Sequence, residues 1–361
     1  MIFYRFLKVY LIIGKTFSSW FKPIVSGFLL AVLRLIITTG RTLDHLFYNN
    51  MNMQKNPIII VGNPRSGTTF LHRFLIKNRL GTGSQLWQLI YPSVIIQKFI
   101  KPFLPILEKF SPARHHSTVA HKTSLTSYET DDVSFLFRYF DGFFLYGFFL
   151  SFSDEDLFYW IDPNHRDTSS RDFEWLKSVW ERNLFSNQGE RYIGKLFSIA
   201  GNLPKFQFYF PDAKILYMIR DPLHVIPSGL SLITGVLDKR FRFWSLKKPI
   251  RDRFIQRLYV ALVELLNRFF RDWESNKIDK RNVLIIPFNE MMENFEIVMD
   301  NVLSFLEVKN NENMKKEIFD TAHIQRNYKS KHNYSLSKFG LTESQIRNDC
   351  ENIYKTFFSD K

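Results

Sequence analysis

Four groups of residues in this chain could act on an anion. The densest is Gly62-Asn-Pro-Arg-Ser-Gly67-Thr-Thr69, where two glycines bracket Arg65 and Ser66 and two threonines, Thr68 and Thr69, follow. Such a loop wraps backbone N–H groups around an anion at a helix N-terminus, where the helix dipole also favours negative charge. The spacing of Gly62 and Gly67 is that of a nucleotide phosphate loop, but Thr68 stands where a magnesium–nucleotide loop needs lysine. The cation is Arg65, inside the loop, and a guanidinium suits a face of sulfate or phosphate oxygens. The loop therefore reads as an anion cradle rather than one built for magnesium-ATP hydrolysis.

The second group is Arg220 with Ser228, eight residues apart. The third is Lys195, at the end of a short apolar run. The fourth is His121 followed by Glu129-Thr130-Asp131-Asp132, with His115 and His116 upstream. Histidine near carboxylates can form a metal site or an acid–base pair. The spacing of these three histidines does not place three ligands on one helix face.

The elements around these residues follow from local pattern. Ile58–Val61 is a β-branched run, as a parallel strand covered on both faces requires. A helix opens at Thr68 with Phe70, Leu71, Phe74 and Leu75 as its apolar stripe. Tyr192–Lys195 and Lys214–Ile219 read as further strands, with a helix beginning near Leu223. Ligands of open α/β sheets sit at the carboxyl ends of strands, so Arg220 and Ser228 can converge on one phosphate. Arg251–Asn276 is a long helix, Val283–Ile286 a strand and Glu293–Val308 a helix. Thr342-x-x-Gln345 is a capping box, with Leu341 and Ile346 as its staple. Residues 84–160 look helical and irregular, broken by Pro92, Pro102, Pro105 and Pro112.

The wording PRSGTTFLHRFL resembles the 5′-phosphosulfate loop of sulfotransferases, the enzymes that use 3′-phosphoadenosine 5′-phosphosulfate (PAPS), and is most similar to a bacterial-type branch of that superfamily. Arg220 at a strand end with Ser228 at the same separation resembles its 3′-phosphate site. HKTSLTSYETDDVSFL resembles the segment that precedes a helix lining the acceptor side. The resemblance covers roughly residues 41–357. It implies a central parallel sheet flanked by helices, the P-loop-like sulfotransferase fold, with PAPS as donor and no metal required. Arg65, Ser66, Gly67, Thr68 and Thr69 would hold the 5′-phosphosulfate, and Arg220 and Ser228 the 3′-phosphate. Cytosolic members carry Lys-x-His near Lys195, but here the third position is Phe197. Lys195 would keep the transition-state role, and the base would be Glu129 or His121. The family's glycine-rich motif closing on the 3′-phosphate is not recognisable. The basic stretch Arg326–His332 either closes over the nucleotide or is solvated.

The whole chain sets bounds on these readings. Its 361 residues allow one large α/β domain with additions. The expected organisation is an N-terminal hydrophobic helical arm at 1–50 and a sulfotransferase domain at 51–361, with a helical insertion over about 84–180. A net charge of +14 points to an anionic partner. The single cysteine, Cys350, rules out an internal disulfide and a zinc cluster, and fits a reducing compartment. The expected location is cytoplasmic, or membrane-associated on the cytoplasmic side.

Residues 1–43 hold Arg5, Lys8, Lys15, Lys22, Arg34 and Arg41 among apolar residues, with no acid before Asp44. Arg34 interrupts the most hydrophobic piece, at a cost of about 2.5–3.5 kcal/mol for a spanning helix that needs ~20 apolar residues. The pattern fits an interfacial anchor best. A single span, or helices packed on the protein's own body, stay open. Gly142–Phe152, GFFLYGFFLSF, suggests a greasy pocket or lipid contact, and with it a lipid or other hydrophobic alcohol as acceptor. Two other classes fit parts of the pattern: a nucleotide-dependent kinase or NTPase using the same loop, and a non-enzymatic basic membrane-binding protein. No compact nucleic-acid motif is present.

Overall fold

A computed structural model of the chain describes residues 2–48, 51, 56–110, 123–327 and 335–358. In chain order, two helices, α1 (Ile2–Phe17) and α2 (Phe21–Phe47), precede β1 (Ile58–Val61) and α3 (Thr68–Lys77). Short helices follow: α4 (Leu86–Ile90), α5 (Val94–Ile100), α6 (Leu104–Phe110), α7 (Val133–Tyr139) and α8 (Phe143–Phe148). The longer α9 (Ser169–Asn187) leads to β2 (Ile193–Lys195), α10 (Leu203–Tyr209), β3 (Lys214–Ile219), α11 (Pro222–Phe241) and α12 (Lys248–Glu274). The chain then forms β4 (Val283–Pro287), α13 (Phe288–Glu293), α14 (Phe295–Phe305), α15 (Glu312–Arg326), α16 (Glu343–Asp349) and α17 (Glu351–Phe357).

Two sequence expectations shift at their ends. α12 begins at Lys248, because Pro249 is tolerated in a first turn whose N–H groups have no helical partner. The helix expected over Glu293–Val308 breaks at Asn294, the N-cap of α14. Thr342 does cap α16, accepting from Gln345 N at 3.2 Å, and Leu341 and Ile346 are both buried beside it.

The chain divides into two compact units. One comprises 54–83, 190–229 and 263–361 and contains the sheet. Its strands are all parallel, in the order β2-β1-β3-β4, with Ile59 opposite Gly194 and Ile215, and Leu216 opposite Leu284. Every residue of β1 is buried, which is why the run is β-branched throughout. On one face Ile58, Ile60, Leu216 and Met218 pack with Leu71 and Leu75 of α3 and with Phe295 and Met299 of α14. On the other, the ring of Tyr217 stacks on Phe269 of α12 at 3.5 Å. Parallel strands bring their carboxyl ends to one edge. The loop after β1 therefore lies between Lys195, ending β2, and Arg220, following β3, and β4 delivers Phe288 next to Arg220.

The other unit comprises 1–53, 84–189 and 230–262 and is helical. The aromatic segment at 142–152 contributes to its interior: Leu145, Tyr146, Leu150 and Phe152 are buried, Phe143, Phe144, Phe148 and Phe149 half-buried, and Phe152 stacks on Phe254 at 4.2 Å. The N-terminal helices are tied into this unit by charges. Arg5 of α1 reaches the buried Asp141 at 3.5 Å and the Tyr139 carbonyl oxygen at 3.0 Å. Asp44 of α2 is fully buried and caps α5 from a distance, accepting from Ser93 Oγ at 3.1 Å, Val94 N at 2.9 Å and Ile95 N at 3.0 Å. Arg182 of α9 donates to the same carboxylate at 3.1 Å.

Replacing Asp44 with alanine leaves the buried Arg182 without this counter-charge. The expected loss is about 3–5 kcal/mol, the usual cost of breaking a buried ion pair from one side. Urea unfolding followed by tryptophan fluorescence measures it, and a midpoint equal to wild type would contradict this role.

Candidate functional site

The turn from β1 into α3 is shaped by two glycines. Gly62 has φ +147°, and a Cβ there would lie 2.4 Å from the Met218 carbonyl oxygen. Gly67 has φ +90°, and a Cβ there would meet Met291 Cε at 2.7 Å and Phe288 at 2.9 Å. Between them Arg65 also takes a left-handed backbone, φ +80°. Left-handed conformation at a non-glycine residue is uncommon and concentrates at functional turns. Ser66 Oγ and Ser66 N both bond the Asn63 carbonyl oxygen, at 2.8 and 3.1 Å, closing the loop on itself. Gly67 is the N-cap of α3 and offers no side chain to cap it. The donors of such a first turn are the groups that an anion satisfies.

Side chains far apart in sequence meet around this turn. Arg65 Nε donates to Ser228 Oγ at 3.1 Å. Arg220 Nη1 donates to the Arg65 carbonyl oxygen at 2.7 Å, and its guanidinium lies over the Phe288 ring at 4.2 Å. Lys195 Nζ donates to Thr69 Oγ1 at 3.1 Å from the end of β2. Lys195 and Ser228 are nearly buried, 6% and 1% exposed, so their polar groups work where water screens little. Of the residues named from the sequence, Arg65, Ser66, Gly67, Thr68, Thr69, Lys195, Arg220 and Ser228 all lie in the sheet-containing unit at this one edge. Asp221, beside Arg220, accepts from Tyr354 OH at 2.6 Å and from Leu223 N at 2.8 Å, which anchors the start of α11.

Glu129 belongs to the helical unit. It is 9% exposed, accepts from Ser127 Oγ at 2.8 Å and lies just ahead of α7. His121, like His115 and His116, lies outside the described residues. So do residues 328–332 of the basic stretch, whose first member, Arg326, pairs with Glu296 at 2.5 Å.

Three residues at the site escaped sequence reading. Phe288 and Met291 floor the loop beneath Gly67, and Phe288 also carries the Arg220 guanidinium. The signal for Phe288 was its place immediately after a parallel strand. His72, one turn into α3, is wholly buried and its Nε2–H donates to the Ile193 carbonyl oxygen at 3.0 Å, two residues before Lys195. Burial, and secondarily the charge of Lys195, pushes the imidazole down to about 3.

The arrangement is a polycationic, hydroxyl-bearing cradle at a helix N-terminus, with two arginines and a lysine around one loop. A family model described as the sulfotransferase family matches residues 57–312. Two curated relatives, the omega-hydroxy-beta-dihydromenaquinone-9 sulfotransferases Stf3 of Mycobacterium tuberculosis and Mycobacterium bovis, are 23% identical over 220 residues. That match covers 59% of this chain and 53% of theirs, so the chain spans about half the length of the curated relatives it matches. Among solved structures, sulfotransferase STF1 of Mycobacterium tuberculosis H37Rv superposes with a TM-score of 0.68 at 15% identity, over 96% of this chain and 90% of that one. Sulfotransferase STF9 of Mycobacterium avium does so with a TM-score of 0.64 at 16% identity, over 84% and 77%. At these identities the two structures speak for the fold.

His72 yields a pH prediction. The unfolded imidazole takes its proton near 6.5 and the folded one only near 3, so between these values the unfolded chain binds more protons. The stability His72 confers is complete above 6.5 and falls by about 1.4 kcal/mol per pH unit as pH drops toward 3. Urea unfolding at pH 7.5 and 5 checks this: His72→Gln should lose less stability than wild type across that interval. Equal losses would contradict it.

Proposed function

The chain belongs to the sulfotransferase family, and from that premise we propose that it moves a sulfuryl group from PAPS to a hydroxyl or amine of a hydrophobic acceptor. The observation that carries this reading is the convergence on one loop of Arg65, Arg220, Ser228 and Lys195, drawn from three strand ends and one helix. The Gly62–Gly67 cradle admits no side chain beyond hydrogen at either glycine, as a loop that closes on phosphate oxygens requires. Arg65 through Thr69 would bind the 5′-phosphosulfate, and Arg220 with Ser228 the 3′-phosphate.

In the transfer the acceptor oxygen bonds to sulfur while the bond from sulfur to the bridging phosphate oxygen breaks. Lys195 and Arg65 neutralise the charge that builds on that oxygen. Glu129 or His121 takes the acceptor's proton. Positioning and electrostatic stabilisation supply most of the acceleration, as in phosphoryl transfer, and no metal enters this scheme.

The curated relatives are named for a hydroxylated dihydromenaquinone, and a lipid or other hydrophobic alcohol is the acceptor we assign here. Contact of residues 1–43 with the cytoplasmic side of a membrane would bring such a molecule within reach.

Titration with adenosine 3′,5′-bisphosphate tests the donor site. Arg65→Ala and Arg220→Ala should each weaken binding roughly ten- to a hundredfold, the worth of a charge-assisted contact of about 1.5–3 kcal/mol. Lys195→Met should leave that affinity within a few-fold of wild type. It should lower turnover of sulfur-35 PAPS with a lipid extract by about 10²–10³, as loss of a transition-state charge does. Unchanged titrations in both arginine variants, or phosphate release from magnesium-ATP with no PAPS consumed, would overturn the reading.

A further inference from the structure

Helix α2 is built inside out. Arg34 Nε donates to the Phe137 carbonyl oxygen at 2.9 Å, Arg41 Nη1 to the Pro92 carbonyl oxygen at 3.3 Å, and Asp44 takes the bonds described above. These groups share the inward face with Pro23, Ile37 and Gly40, all buried. The outward face is apolar but for the exposed Thr39 and Thr42: Phe21, Phe28, Leu29, Leu35, Leu46 and Phe47 are each 61–75% exposed. A helix bordering water shows the opposite polarity. Charges turned inward onto backbone carbonyls and one another, with apolar side chains outward, are the arrangement of a helix that borders lipid. Among the described residues α2 is the helix long and apolar enough to cross a membrane by length and composition, and little of that stretch is buried.

The apolar surface continues onto the elements packed beside α2. Gly27 of α2 closes on Phe6 of α1, and Gly40 closes on Ile96 of α5. On α1, on α5 and on the turn and α6 that follow it, Phe3, Leu7, Phe99, Phe103 and Ile106 are exposed. Trp20, in the turn between α1 and α2, is exposed as well. Tryptophan of this kind favours the headgroup level. Lys15, Lys22, Lys98, Lys101 and Lys109 are exposed on the same stretches. The only carboxylates in 2–48 and 94–110 are Asp44, which is buried, and Glu108, which accepts from Leu125 N and Thr126 N and is not exposed.

We propose that this face of the helical unit lies in the surface of an anionic lipid bilayer, with α2 in the plane of the interface and the lysines on the headgroups. Two observations select this occupant. A second copy meeting the same patch across a two-fold axis would set lysines against lysines, whereas an anionic leaflet supplies the opposite charge. The inward face of α2 is bonded at residues 34, 41 and 44 to its own unit, so the helix has protein on one side and a free face on the other. That geometry suits lying in the interface. Arg34, which reads in sequence as an obstacle to the membrane, is turned away from it. The inference deepens the membrane-contact reading above and rests on it for the supply of a lipid acceptor.

Flotation of the purified full chain with vesicles of phosphatidylcholine, alone or mixed with phosphatidylglycerol, tests it. Wild type should float with the anionic vesicles and lose about fivefold in partition for each engaged lysine when they are neutral. Phe28→Glu and Leu35→Glu, at exposed positions, should each cut partition about tenfold or more, while circular dichroism and bisphosphate titration stay as in wild type. Wild type left at the bottom with anionic vesicles, or variants floating as well as wild type, would overturn the proposal. So would a dimer in light scattering that Phe28→Glu dissolves, which would give the face to a second copy. Flotation reads no sulfuryl transfer and nucleotide titration reads no lipid, so each reading can fail while the other stands.

Discussion

The hydrogen bond from Arg220 Nη1 to the Arg65 carbonyl oxygen is the constraint on which the rest of the site depends. It fastens the backbone of the loop after β1 to the residue that follows β3. A left-handed Arg65 turns its carbonyl toward one neighbouring strand end and, through Nε, its side chain toward Ser228. Sheet order makes this possible. With β1 between β2 and β3, the loop is reached from one side by Lys195 and from the other by Arg220. A loop held at both its backbone and its side chain presents its donors in fixed positions, which is what electrostatic catalysis requires of an anion site.

The same economy governs the floor of the cradle. Phe288 supports the Arg220 guanidinium from one face and fills the space beside Gly67 with its edge, while Met291 fills the rest. A larger residue at Gly67 would displace the ring that orients Arg220. The shape of the loop and the placement of the second cation are therefore coupled through one aromatic side chain. His72 extends the coupling to β2: its bond to the Ile193 carbonyl oxygen ties α3 to the strand that delivers Lys195.

Much of this was legible in the residues. Ile58–Val61 and Lys214–Ile219 announce themselves because strands covered on both faces must be β-branched or apolar throughout. Gly62, Arg65, Gly67, Arg220 and Ser228 were legible because their types and spacing exceed what turns require. Phe288, Met291 and His72 were not, since a phenylalanine after a strand or a histidine in an amphipathic helix looks the same whether it packs a core or shapes a site. The polarity of α2 was also hidden. Its apolar and charged residues alternate at helical spacing, and that pattern does not say which face turns to the protein. Only the partners of Arg34, Arg41 and Asp44 decide it. In the aromatic run at 142–152, Leu145, Tyr146, Leu150 and Phe152 are buried and Phe143, Phe144, Phe148 and Phe149 half-buried, a division that the unbroken apolar run does not show.

The central claim is that the loop and the Arg220–Ser228 pair hold two different anionic groups of one donor. The most direct test compares adenosine 3′,5′-bisphosphate with adenosine 5′-monophosphate, each titrated into wild type and Arg220→Ala. If Arg220 holds the 3′-phosphate as well as bracing the loop, wild type prefers the bisphosphate by roughly ten- to a hundredfold and the substitution removes that preference, whatever it costs the monophosphate. If Arg220 serves only to brace the loop, both ligands weaken by the same factor, and the two-anchor account is wrong.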